Sequence, residues 1–257
     1  MNNSKNLRKW LDDMNLSHPL LIAGPCSAET ENQVLDIAHK LKDSDTIVYR
    51  AGIWKPRTRP GNFEGIGSLA LQWMKKVKKE TGILTTTEVA NANHVDLALK
   101  NEIDILWIGA RTTVSPFIVQ EIAEALRGTE KIILIKNPVN PDLSLWLGAI
   151  ERFFSSNIKN IGAIHRGFYV ERKINYRNKP NWSAVREFRK KIKGINLICD
   201  CSHIAGDSSV VKELVLKSQT LKYDGVMIET HDTPEKALSD SKQQIKPTEF
   251  NSFFINE

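Results

Sequence analysis

The 257 residues carry 36 Lys and Arg against 30 Asp and Glu, a formal charge of +6, with three cysteines. No apolar run is long enough to cross a bilayer and no apolar N-terminal segment marks export, so with so few cysteines the expected setting is a reducing cytoplasm. Cys26, Cys199 and Cys201 lack the paired spacing of a structural zinc site; no zinc finger or RNA-binding aromatic signature accompanies the positive charge, part of which (Lys75, Lys76, Lys78, Lys79) solvates one helix, and nucleic acid is not the expected partner.

Residues 1–18 read as a short amphipathic lead-in helix lying across the bottom of the fold. Short apolar runs then recur at 19–23, 46–50, 83–87, 105–108, 131–135, 161–165, 196–199 and 225–229, each the length of a buried strand. Between them, helical periodicity marks 31–42, 66–81, 116–126, 142–154, 182–193 and 208–220, with Asp142 and Ser208 as N-caps. The polar stretch 169–181 is the one long loop and suits a lid. Alternating βα units without a linker-like break predict one α/β domain over residues 1–257, a (β/α)8 TIM barrel with a short N-terminal helical extension.

In such barrels chemistry gathers where the strands end at their C-terminal side. Here the ends read AGPCSAE, YRAGIWKPRTRP, TTTEV, IGARTTVSP, ILIKNPVNPD, AIHRGF, LICDCSHIAGD and VMIETHDTP. Two chemical groupings emerge. Arg50, Lys55, Arg57, Arg111, Lys136 and Arg166 supply cations from four strand ends, more than one carboxylate needs but suited to two phosphorylated substrates. Cys26, His203, Glu229 and Asp240 mix soft and hard donors in a way that suits a divalent ion such as Mn2+, Fe2+, Co2+ or Zn2+. Taken singly, each has an ordinary alternative: Cys26 as a buried small apolar residue, His203 or His231 as a strand-end histidine, any one cation as half of a surface ion pair.

The ordered set AGPCSAE, RAGIWKPRTRP, IGAR, KNPVNPDLSLWLGAIER, HRGF, DCSHIAGD and MIETH, followed by SD and QQ, resembles 3-deoxy-D-arabino-heptulosonate 7-phosphate (DAHP) synthase of the type I beta group, from about Pro19 to Phe250. The resemblance implies a metal-dependent barrel condensing phosphoenolpyruvate with erythrose 4-phosphate, usually as a homo-oligomer, a dimer or tetramer. It makes Cys26, His203, Glu229 and Asp240 the metal ligands and Arg50, Lys55, Arg111, Lys136 and Arg166 the phosphoenolpyruvate cradle. Lys55 becomes the proton donor, Arg57 and Thr58 receive the erythrose phosphate, Glu88 orients lysine or water, and Asp200 contacts the aldehyde.

The chain departs from that pattern in places. Trp54 and Arg59 stand where phenylalanine and a small residue are common, and Cys201 where proline is frequent. Strand alternation predicts Cys199, Cys201 and His203 on one face toward the barrel axis, which puts the spare thiol of Cys201 beside Cys26, with Asp200 on the other face or in the turn. No fused chorismate mutase or regulatory domain is expected, hence no response to aromatic amino acids. The eight-carbon relative, 3-deoxy-D-manno-octulosonate 8-phosphate synthase, shares fold and ligands; Pro56, Arg57 and Thr58 argue against it. A non-catalytic polyanion-binding barrel would not require both groupings intact.

Overall fold

The computed structural model describes residues 10–13, 19–57, 59–171 and 174–254. Eight parallel strands close into a barrel in sequence order: β1 (Leu20–Gly24), β2 (Val48–Arg50), β3 (Leu84–Val89), β4 (Ile105–Ile108), β5 (Ile132–Lys136), β6 (Ile161–His165), β7 (Asn196–Asp200) and β8 (Gly225–Glu229), with β8 pairing back onto β1. Around it run α2 (Glu31–Lys42), α3 (Leu69–Thr81), α4 (Ala92–Lys100), α5 (Pro116–Ala125), α6 (Leu143–Ser155), α7 (Trp182–Lys191), α8 (Cys201–Ala205) and α9 (Ser208–Thr220). No helix among the described residues is long and apolar enough to cross a membrane.

The two-residue period of a strand divides the core into two layers. On β1, Leu21 and Ala23 face the helices while Leu20 and Ile22 face the barrel interior, where they join Val48, Trp107, Leu134, Ile164, Ile198 and Met227. Two residues further along the same inward rows, the side chains become polar: Arg50, Lys136, Arg166, Asp200 and Glu229 follow Val48, Leu134, Ile164, Ile198 and Met227. The apolar plug therefore carries a charged floor directly above it.

The lead-in helix is described only as α1, Trp10–Asp13; the remainder of residues 1–18 up to Ser17 and His18 lies outside the described residues. Trp10 and Leu11 are fully buried and belong to the interior cluster, and the Leu11 amide donates to Asn196 Oδ1 at the start of β7, so α1 closes the barrel bottom as expected. Three expectations need correction. Helix α4 is absent from the sequence reading because its nine residues follow β3 almost at once; Asn91 caps it by accepting from the His94 amide. Asp207, not Ser208, caps α9, with its side chain accepting from the Ser209 amide. The eighth unit lacks a full helix: Pro234–Lys236 and Ser241–Gln243 are 3-10 turns, and α10 (Pro247–Phe250) is a single turn packed on α2.

Candidate active site

A cavity of about 780 Å³ opens at the C-terminal ends of the strands, lined among others by Lys55, Arg57, Glu88, Arg111, Lys136, Arg166, Arg177, His203 and Asp240. Its floor is the inward-facing charged layer; its walls are the segments after β2, β4, β5, β6, β7 and β8. Parallel strands deliver these loops to one rim, so residues 214 positions apart, Cys26 and Asp240, touch.

On one side of the cavity Asp240 joins a thiol and a second carboxylate, Cys26 and Glu229, that are buried beneath it. The ligating atoms of Cys26, Glu229 and Asp240 all lie within 4.8 Å of one another. Glu229 Oε2 accepts from Gln243 Nε2 at 2.6 Å; Oε1 is in ion-pair contact with Arg50 Nη1 at 3.2 Å yet is buried without accepting a hydrogen bond. Burial pulls the Glu229 carboxyl upward, but the neighbouring His203 and Arg50 outweigh it and keep it ionised. Burial, reinforced by the Glu229 charge, pushes the Cys26 thiol up to about 11 against the pull of Lys55, whose Nζ lies 3.1 Å from Sγ and also donates to the Cys26 carbonyl. His203 Nδ1 faces Asp200 at 3.0 Å, which leaves Nε2 directed toward Asp240 Oδ2 at 3.9 Å. Three clustered donors of mixed softness, one of them with a buried oxygen lacking a hydrogen bond, and an imidazole already oriented by a carboxylate fit a divalent transition metal.

The other wall is cationic. Arg166 is 9% exposed, and its Nη1 is buried with no protein partner. Burial draws its guanidinium down to about 10, against the opposing charge of Asp200. A charged group held without a full set of partners is costly unless an anion completes it. Its backbone is fixed by Asn137, whose side-chain oxygen accepts from the Arg166 amide at 2.7 Å while its Nδ2 donates to the Gly167 carbonyl at 2.8 Å. Arg57 Nε donates to the Phe63 carbonyl at 2.8 Å, and Arg111 is exposed at the mouth. Glu88 sits beside Trp107 in the β3–β4 register and accepts from its indole Nε1 at 2.9 Å.

Most of the predicted site residues meet here, with several differences. Arg50 does not open onto the cavity; it lies beneath, 1% exposed, joined to Glu229 and the Cys26 carbonyl and stacked over Trp107. Lys136 is paired with Asp200, so part of the repulsion among these cations is offset. Thr58 lies outside the described residues. The expected strand through His203 stops at Asp200, and Cys201–Ala205 is helical. That change of period reverses the assigned faces: Asp200 points into the site, while Cys199 and Cys201 are fully buried in the layer between barrel and helices. Cys201 is thus not the neighbour of Cys26 that strand alternation implied. Loop 169–181 is tied down where described: Phe168 and Lys179 exchange backbone hydrogen bonds, and the Tyr169 amide donates to the Val139 carbonyl.

Sequence reasoning missed Arg177, a loop residue with no periodic signal, and gave Gln243 and Gln244 no role although the pair stood out as QQ. Gln244 Oε1 accepts from the Cys26 amide at 3.0 Å. Trp107 reads in sequence only as strand core.

Residues 15–256 match the DAHP synthetase I family. The chain belongs to that family. The curated phospho-2-dehydro-3-deoxyheptonate aldolase of Thermotoga maritima is 29% identical over 225 residues, covering 88% of this chain but 64% of its own length. The 2-dehydro-3-deoxyphosphooctonate aldolase of Desulfatibacillum aliphaticivorans is 28% identical over 252 residues, covering 88% and 86%. Among solved structures, the Thermotoga maritima DAHP synthase superposes with a TM-score of 0.82 at 28% identity, covering 91% of this chain and 66% of that one. A truncated form from the same organism gives 0.79 at 26% identity, covering 91% and 83%. Family membership accounts for the barrel and for its closure in sequence order.

Proposed function

We propose that this chain condenses phosphoenolpyruvate with erythrose 4-phosphate, forming DAHP and phosphate, as a cytoplasmic homo-oligomer using one divalent ion of the Mn2+, Fe2+, Co2+ or Zn2+ class. The observation that carries the reading is a single cavity in which Asp240 and His203, with Cys26 and Glu229 buried just behind them, stand beside a wall of cations, one of them a buried arginine with an unpartnered nitrogen. The similarity to the Thermotoga maritima DAHP synthase points the same way.

In this reading Arg111, Lys136 and Arg166 hold the carboxylate and phosphate of phosphoenolpyruvate, with Arg50 supporting them from below, so its orientation is set before the aldehyde arrives. Arg57, with Thr58, takes the phosphate of erythrose 4-phosphate. Carbon three of the enolpyruvate attacks the aldehyde carbon; a C–C bond forms, and the aldehyde oxygen takes a proton from Lys55. Water, oriented by Glu88, adds to carbon two and gives up a proton that restores the Lys55 ammonium; the hydroxyl so formed passes its own proton to the departing phosphate as the carbon–oxygen bond to the phosphoryl group breaks, leaving the carbonyl at carbon two. Cys26, Glu229, Asp240 and His203 would hold a divalent metal, which would supply Lewis acidity to the condensation. Asp200 keeps Nε2 of His203 turned toward the cluster.

The second reading takes arabinose 5-phosphate as the aldehyde, favoured by the similarity to the octulosonate-type relative. The Lys55-Pro56-Arg57 segment at the cavity wall supports the shorter sugar. Product formation with both sugar phosphates, across a metal panel and after chelation, separates the two. Preference for erythrose 4-phosphate, loss on chelation, and loss of metal binding in Cys26→Ala and His203→Ala are expected. Faster turnover with arabinose 5-phosphate overturns the substrate; full activity in chelator overturns the metal.

A further inference from the structure

Arg177 and Gln243 form a relay between the β6–α7 loop and the carboxylates of the cluster. Arg177 Nη1 lies 2.9 Å from Asp240 Oδ1 and donates to Gln243 Oε1 at 2.7 Å. Gln243, 1% exposed, donates from Nε2 to Glu229 Oε2 at 2.6 Å. The amide has only one satisfactory orientation, because a guanidinium only donates and a carboxylate only accepts. Arg177 therefore dictates which end of Gln243 faces Glu229.

The same arginine spans the turn that carries both contacts. Asp240 is a non-glycine residue at φ 48°, a sparsely populated conformation, and the 3-10 turn Ser241–Gln243 begins directly after it. Arg177 grips the residue before that turn and the residue at its end. Its own backbone is zipped against α8, the helix bearing His203: the Arg177 amide donates to the Ala205 carbonyl at 3.0 Å, and Asn178 Nδ2 donates to the His203 carbonyl at 2.6 Å. A Cβ on Gly206, where φ is +74°, would stand 2.3 Å from the Arg177 Cβ, so the close approach requires glycine there. Residues 177 and 178 thus touch the element carrying His203, the side chain of Asp240 and, through Gln243, Glu229.

We infer that Arg177 and Gln243 are positioning residues that set the two carboxylates, and the turn between them, in a metal-ready geometry. The inference rests on the metal-dependent reading given above. Outer partners of metal ligands typically change affinity roughly tenfold to a hundredfold when removed. Removing the arginine altogether would also remove a like charge near the ion, so the discriminating variants preserve charge: Gln243→Met, neutral for neutral, and Arg177→Lys, cation for cation.

The experiment titrates Mn2+ into metal-free full-length protein by calorimetry and Co2+ by visible absorption, then measures KM for both substrates at saturating Mn2+. Both variants should fold like wild type by circular dichroism, bind Mn2+ roughly ten to a hundred times more weakly, and keep KM within about twofold. If Gln243→Met does not fold, Arg177→Lys alone decides. Wild-type metal affinity in the folded variants overturns the inference and leaves the functional reading standing. So does a raised KM with unchanged metal affinity, which would make Arg177 a substrate contact. Wild-type protein that takes up neither ion overturns both.

Discussion

The Lys136 ammonium donates to Asp200 Oδ2 at 2.8 Å in a site where neither side chain exceeds 6% exposure, and the same carboxylate holds the His203 ring. Although burial alone would raise the Asp200 carboxyl, His203 and Lys136 hold it well below the usual carboxylate range. Taking two charges out of water is costly, and removing one partner leaves the other uncompensated.

Asp200→Asn should therefore destabilise the protein by about 3 kcal/mol, from the order of magnitude for breaking a buried pair. The double variant Asp200→Asn, Lys136→Met should recover part of that loss, since no lone ammonium remains. Urea unfolding of the four proteins in a double-mutant cycle measures the coupling; strict additivity would show that the pair is energetically silent.

Arg57 lines the cavity with Nε donating to the Phe63 carbonyl, which leaves its Nη groups as the donors for a ligand phosphate. Hydrogen bonds to charged groups contribute about 1.5–3 kcal/mol, so Arg57→Ala should raise KM for erythrose 4-phosphate roughly tenfold to a hundredfold. KM for phosphoenolpyruvate should move little. Equal effects on both substrates would relocate Arg57 to a shared site.

Gly109 leaves the space that the Glu88 carboxylate fills: a Cβ there would lie 2.1 Å from Glu88 Oε1. Gly109→Ala must displace a side chain otherwise anchored by Trp107. Overpacking of this kind costs about 1–3 kcal/mol, and kcat should fall with metal affinity unchanged. Unaltered turnover would remove Glu88 from the chemistry.

His165 is fully buried beside Tyr223, whose hydroxyl lies 2.9 Å from Nδ1; burial drives its pKa from 6.5 down to about 3. The unfolded imidazole takes a proton near 6.5 and the folded one only near 3, so this stabilisation is complete above 6.5 and is lost as pH falls toward 3. Between pH 7 and 5 the loss should be about 2 kcal/mol. In His165→Gln the dependence of unfolding free energy on pH over that interval should flatten. An unchanged slope would mean that other groups carry it.

The repeating alternation of apolar runs and amphipathic helices was enough to specify a closed eight-unit barrel, because a strand buried on both faces and a helix packed on it leave few other arrangements for parallel units. The same two-residue period made Arg50, Lys136 and Glu229 legible as strand-end residues: each continues an inward-facing apolar row by one step. Cys26, Lys55 and Arg111 were legible through their motifs. Alternation failed at LICDCSH, where the chain leaves β7 after Asp200 and enters a helix within one residue. Asp200 caps that helix by accepting from the His203 amide at 3.2 Å. A local pattern carries no record of where its period changes, so Cys201 was assigned to the wrong face. Only the assembled barrel decided that Arg50 lies beneath the cavity rather than in it, since the depth of a side chain depends on the shear of neighbouring strands. Only the assembled barrel brought Arg177 to Asp240 and Gln243, 63 and 66 positions away in the chain. Polar loop residues have no periodicity to read, and their partners are set by which loops the closed sheet places side by side.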